Sequence, residues 1–182
     1  MLNYGDFIDK DCLILFLDFY KAFDTVEHAF LLEALKFLGF GENFCKLIEM
    51  FYSDIYSSVS LNPGLSSRFK IQWGICQGCP ISPKLFILTT QLLALKICQS
   101  PELEGINIFN WEFKICQFAD DTALFLKNYS MIERGLNIIS IFSKASGLGL
   151  NIKKNVKFYP FTIAYIKAFH QLGLRMKLNI WE

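Results

Sequence analysis

The chain has 182 residues, 53% of them apolar with 19 Phe, and a formal net charge of +1. So many large apolar side chains can fill one core, which sets aside a disordered segment. No apolar run approaches the ~20 residues of a membrane span. The polar, acidic opening Met1–Lys10 is unlike the basic-then-apolar start of a secretory leader. The expected setting is therefore intracellular, with no compartment specified.

Charge is unevenly placed: residues 1–126 carry 9 Lys and Arg against 15 Asp and Glu, whereas residues 127–182 carry 9 against 2. An acidic half beside a basic half fits metal binding next to phosphate contact, and equally a solvated basic tail. The six cysteines lack the spacing of a small disulfide scaffold. Cys76-Gln77-Gly78-Cys79 is a lone C-x-x-C pair with no second pair to complete a zinc site, so reduced thiols are expected.

In chain order, Leu13-Ile-Leu-Phe-Leu-Asp-Phe19 is too short and too apolar for a surface helix and predicts a strand buried on both faces. Asp24 with Glu27 three residues later reads as a capping box. Val26, Phe30, Leu31, Ala34, Leu35 and Leu38 recur at helical spacing up to Gly39, a helix stop. A second helix is expected over about 43–56. Asn62-Pro63-Gly64 predicts the turn of a hairpin within 57–73. After a Gly- and Pro-rich loop, Ser82 and Pro83 predict the N-cap and first position of a helix reaching about Gln99, with Leu85, Leu88, Leu92 and Leu95 buried. Residues 112–127 read as two strands around the turn Ala119-Asp120-Asp121-Thr122. A helix over 130–146 is stopped by Gly147, and short strands are expected between Phe158 and Met176.

Asp18 ends an apolar strand, and Asp120 and Asp121 crown an apolar hairpin. Adjacent carboxylates repel, so a fold that gathers them calls for a cation. Magnesium takes oxygen ligands, and a pair of such ions can assist phosphoryl transfer. Taken singly, each feature also fits an ordinary turn or helix cap.

Three blocks in order resemble motifs A, B and C of reverse transcriptases, most nearly those of LINE-type non-LTR retrotransposons. They are Leu17-Asp-Phe-Tyr-Lys-Ala-Phe-Asp24, Gly74-Ile-Cys-Gln-Gly-Cys-Pro-Ile-Ser-Pro-Lys-Leu-Phe86 and Phe118-Ala-Asp-Asp121. Ser146-Gly-Leu148 with Leu150-Asn151 and Lys154 resembles motif D, and Gln171-Leu-Gly173 resembles motif E.

The resemblance implies an α+β fold: a palm-type antiparallel sheet with helices on one face and part of the fingers, residues 1–182 forming one domain. It implies RNA-directed DNA synthesis, with an RNA template, a DNA primer and deoxynucleoside triphosphates as partners. Two Mg2+ ions, or Mn2+, would be held by Asp18, Asp120, Asp121 and the carbonyl of Phe19. Phe23 would lie under the sugar of the incoming nucleotide and exclude a 2′-OH. Gln77 and Gly78 would flank the nascent base pair, Lys154 would approach the triphosphate, and Leu172 and Gly173 would hold the primer end.

Asn155 departs from the Ser or Thr usual after the motif D lysine. Upstream finger motifs and a thumb have no counterpart in the chain, so it reads as a fragment of a longer polymerase. The alternative is a catalytically inactive, truncated remnant. Polymerisation of RNA and metal-dependent nuclease action are weaker rivals: the Phe23 ring speaks against the first, and the Gln77-Gly78 loop has no purpose in the second.

Overall fold

The structure, a computed structural model, describes residues 12–108, 111–151 and 157–160. Strand β1 (Leu13–Leu17) leads into a single helical turn, α1 (Ala22–Thr25), and then helices α2 (His28–Phe37) and α3 (Glu42–Ser53). Strands β2 (Tyr56–Ser57), β3 (Ser60–Leu61), β4 (Gly64–Leu65) and β5 (Phe69–Lys70) make two nested antiparallel ribbons, β3 on β4 within β2 on β5. The long helix α4 (Ser82–Gln99) follows, then the paired strands β6 (Ile106–Ile108) and β7 (Trp111–Phe113). Strands β8 (Ile115–Phe118) and β9 (Asp121–Leu126), helix α5 (Met131–Ser146) and strand β10 (Lys157–Pro160) complete the order.

The central sheet runs β10-β1-β9-β8, with every neighbour antiparallel. Period-2 alternation sorts β1 onto two faces. Leu13, Leu15 and Leu17 join Leu124 and Leu126 in the main core, shared with Leu31 and Leu35 of α2, Leu85, Phe86, Leu93 and Ile97 of α4, and Ile139 and Phe142 of α5. Ile14 faces the other way and packs with Cys12, Ile106 and Phe125. The expected two-sided burial of β1 holds, except that Phe16 near its end is 38% exposed. Each fully buried Leu of this kind contributes about 1.5–3 kcal/mol.

Three expectations are corrected. The capping box at Asp24 and Glu27 does not form. Asp24 lies inside α1, the chain turns extended at Val26, and Glu27 precedes α2 without a side-chain cap bond. Tertiary pairing explains the interruption: the Val26 carbonyl accepts from Gly74 N–H at 2.8 Å, and Glu27 N–H donates to the Ser146 carbonyl at 2.9 Å. Helix α4 starts one residue early, with Ile81 at the cap and Ser82 buried inside. Its buried stripe is Leu85, Phe86, Thr89, Thr90, Leu93 and Ile97, while Leu88, Leu92 and Leu95 are only half-buried. The threonines can lie inside because their hydroxyls donate to helix carbonyls: Thr89 to Leu85 at 2.8 Å and Thr90 to Ile87 at 3.1 Å.

The remaining helices fall near where the pattern predicts, but in the span 112–127 Asp121 and Thr122, expected in the turn, open β9, and Glu112 and Phe113 belong to a separate strand paired with β6. Gly39 closes α2 in the left-handed region (φ +83°), and Gly147 closes α5 in the same way (φ +80°). Strand β10 falls at the start of the strands expected between Phe158 and Met176; the remainder of that span lies outside the described residues. All six cysteines are free thiols.

Candidate functional site

The β8–β9 hairpin presents the carboxylate doublet. Phe118 pairs with Asp121, leaving Ala119 and Asp120 as a two-residue turn. Ala119 has φ +53°, the positive value that tight hairpin turns require at their first central position. A non-glycine residue held there signals a locally constrained turn.

Strand β1 delivers Asp18 to the same end of the sheet. Leu17 is the register partner of Thr122, so the next position along β1 comes level with Asp121. Alternation puts Asp18 on the side of Phe16 and Asp121 on the side of Ala123, and those two residues are themselves cross-strand partners. Asp18 and Asp120 are half-buried and Asp121 is exposed.

The other flank of Asp18 is closed by the segment after α5. Tyr20 N–H donates to the Gly149 carbonyl at 2.9 Å, Asn151 N–H donates to the Asp18 carbonyl at 2.8 Å, and Phe19 bridges Leu150. Asp18 and Tyr20 supply those bonds, and the Phe19 carbonyl makes none of them. The Asn151 side chain adds a bond, its Nδ2 donating to Asp18 Oδ2 at 3.0 Å.

Donor chemistry and strand register together fit a hard dication, which takes carboxylate and carbonyl oxygens. The side chains are not closed around one point: among the described residues, no three His, Cys, Asp or Glu stand grouped to hold a metal.

The motif B loop is fastened to the tail of motif A. Ile75 N–H donates to the Phe23 carbonyl at 2.6 Å, and the Gly74 carbonyl accepts from His28 Nε2 at 2.8 Å. Gly74 is needed here, since a Cβ would stand 3.0 Å from the Asp24 carbonyl and φ is +96°. Gln77 Nε2 donates to Asp24 Oδ1 at 3.1 Å, and Gly78 is exposed with φ +89° and open space around it. Asp24, Trp73 and Gln77 line an open cleft of about 430 Å3 that includes none of Asp18, Asp120 and Asp121. The half-buried ring of Phe23 stacks on Phe86 of α4.

Lys154, Leu172 and Gly173 lie outside the described residues. Three relationships were not foreseen from sequence: Asn151 on Asp18, Asp24 on Gln77 and Phe86 under Phe23. Asn151 and Phe86 stand within the motif D and motif B blocks, so their positions carried a signal although their partners did not. Nothing in the sequence singles out Asp24 as the partner of Gln77.

The architecture is that of known reverse transcriptases. Telomerase from Candida albicans, solved with a fragment of telomeric RNA, superposes with a TM-score of 0.61 at 15% identity, covering 84% of this chain and 27% of that one. Apo telomerase from Candida tropicalis gives 0.59 at 18% identity, covering 81% and 30%.

The sequence places the chain more closely. The profile of reverse transcriptases (RNA-dependent DNA polymerases) matches residues 5–176, and the chain belongs to that family. The Pol polyprotein of the R2 retrotransposable element of Popillia japonica is 33% identical over 144 residues, which is 79% of this chain and 20% of that protein. The R2DM Pol polyprotein of Drosophila melanogaster is 30% identical over 145 residues, 80% and 13% of the respective chains. A 149 kDa protein of the Xenopus laevis transposon TX1 is 27% identical over 157 residues, 85% and 12%. The chain thus spans an eighth to a fifth of the length of these curated relatives. These non-LTR relatives agree with the LINE-type resemblance of motifs A to C. No helix among the described residues is long and apolar enough to cross a membrane.

Proposed function

We propose that this chain is the palm of an RNA-directed DNA polymerase and carries its nucleotidyl-transfer centre on Asp18, Asp120 and Asp121. The reading rests above all on the register that brings position 18 level with Asp121 beside the Ala119-Asp120 turn. That register puts Asp18 and the Asp120–Asp121 doublet, from two distant parts of the chain, at the same end of one sheet.

The substrates are an RNA template, a DNA primer and a deoxynucleoside triphosphate. The primer 3′-oxygen attacks the α-phosphorus, its bond to that phosphorus forms, and the bond to the bridging oxygen of pyrophosphate breaks. Two Mg2+ ions, or Mn2+, when bound, would supply positive charge against the negative charge that such a displacement develops. Asp18, Asp120, Asp121 and the Phe19 carbonyl would hold them.

Phe23, supported by Phe86, forms the floor beneath the sugar and leaves no room for a 2′-OH. Gln77 and Gly78 lie along the new base pair, where the bare Gly78 backbone permits close approach. Lys154 offers a proton to departing pyrophosphate, and Leu172 and Gly173 steady the primer end.

The test is primer extension on an RNA template. This chain replaces the equivalent segment of a full-length R2-type polymerase and is assayed as such and alone. Asp120→Asn is expected to lower extension about 100-fold or more, the scale at which removal of one electrostatic group slows such chemistry. Extension that survives Asp120→Asn unchanged defeats the proposal. A folded chimera that extends no primer even with Asp120 intact favours the inactive remnant.

A further inference from the structure

We propose that Asn151 is a positioning residue that holds the Asp18 carboxylate by one oxygen and leaves the other free for a divalent cation. The inference rests on the metal-binding reading of Asp18 given above.

Asn151 grips Asp18 twice. Its main-chain N–H donates to the Asp18 carbonyl at 2.8 Å, which fixes the backbone, and its Nδ2 donates to Oδ2 at 3.0 Å, which fixes the side chain. A carboxylate just past the end of a strand would otherwise turn freely about two torsions. The amide removes that freedom and, being neutral, leaves the full negative charge in place. A lysine there would compete with a bound dication. Oδ1 remains for the cation, so Asp18 would engage through a single oxygen.

Asn151 is itself firmly mounted. The segment 146–151 is tied to residues 18–27 by three main-chain bonds: Glu27 to Ser146 at 2.9 Å, Tyr20 to Gly149 at 2.9 Å and Asn151 to Asp18 at 2.8 Å. Leu148 between them is fully buried. The side-chain bond joins residues 133 positions apart and is part-buried, where water competes less than at the surface. Groups that orient a metal's ligands in this manner set its affinity, and their loss costs about 10–100-fold.

The experiment titrates the full 182-residue chain with Mn2+ alone and reads bound ion by electron paramagnetic resonance, beside urea unfolding of each variant. Asn151→Ala and Asn151→Leu both keep the main-chain bond and delete the side-chain donor, and Leu also keeps much of the volume. Both are expected to bind Mn2+ about 10-fold or more weakly. A space-filling role instead predicts that the Leu variant binds normally. Asp18→Asn serves as the reference and is expected to bind more weakly still. If Asp18→Asn weakens binding while both Asn151 variants stay within twofold of the unaltered chain, the role of Asn151 is overturned and the metal reading stands. If Asp18→Asn binds as the unaltered chain does, or the unaltered chain binds no Mn2+, both fall. If the Ala variant fails to unfold cooperatively, the Leu variant decides.

Discussion

Phe23 and Phe86 stack with ring centroids 4.3 Å apart and planes 24° from parallel. The two rings join α1, which follows Asp18, to α4, which follows the Gln77-Gly78 loop. Phe86 has no exposed surface, whereas Phe23 is half-buried. On the proposed reading, Phe23 is the floor that a bound sugar would meet and Phe86 is its buried support. A stacked aromatic pair adds about 0.5–1.5 kcal/mol beyond the area it buries.

The asymmetry separates two effects. Phe86→Ala should cost about 3–5 kcal/mol of stability, measured by the urea midpoint, because it empties a fully enclosed site. Phe23→Ala should cost less, since part of that ring is already in water. Its larger effect should be on substrate choice in the chimeric polymerase, where the ratio of ribo- to deoxynucleotide incorporation should rise about tenfold or more, the result of losing a contact worth about 1.4 kcal/mol. An unchanged ratio would remove Phe23 from the sugar site.

Gly147 supplies a sharper stability test. It ends α5 at φ +80°, and a Cβ there would run into the Thr25 carbonyl and crowd the Glu27 side chain. Backbone strain and collision act together, so Gly147→Ala should destabilise the chain by about 2 kcal/mol or more. Gly149, two residues on, has open space where its Cβ would go and no positive φ. Gly149→Ala should stay within about 0.5 kcal/mol of the parent chain. Equal effects in the two urea titrations would show that the approach of residues 146–147 to residues 25–27 is not what Gly147 serves.

Local features of the fold were legible in the sequence because they depend on near neighbours. The apolar run before Asp18 became β1, and Ala119-Asp120 became a hairpin turn because apolar arms flank it. Gly39 and Gly147 ended helices because a residue without Cβ enters the left-handed region most cheaply. The failures came where distant partners decide. The Asp24–Glu27 cap was forestalled by bonds from Gly74 to Val26 and from Glu27 to Ser146, 48 and 119 positions apart in the chain. The buried stripe of α4 was misplaced because Thr89 and Thr90 look polar in a sequence but satisfy their hydroxyls on the helix itself. In the site, each carboxylate could be named from its strand. Their shared end of the sheet depends on a pairing between β1 and β9, more than 100 residues apart, that hydrophobic pattern alone does not specify.

The thiols offer a test that depends on neither metal nor nucleotide. Cys79 sits just ahead of α4, where the Ile81 backbone N–H, with help from Ser82, stabilises the thiolate and lowers its pKa from the ordinary thiol value. Burial of the sulfur acts the other way at Cys98 and Cys116, raising both, although each residue keeps exposed surface. The reactive species in alkylation is the thiolate, so a lowered pKa shifts the onset of reaction to lower pH. With iodoacetamide and peptide mass spectrometry across a pH series, Cys79 should be modified at a lower pH than Cys98 or Cys116. Unfolding in urea should bring the three profiles together, since the helix-end N–H groups and the burial both vanish. If Cys98 or Cys116 reacts first in the folded chain, the loop does not hold Cys79 against the start of α4. The path that the same backbone gives Gln77 and Gly78 would then have to be redrawn.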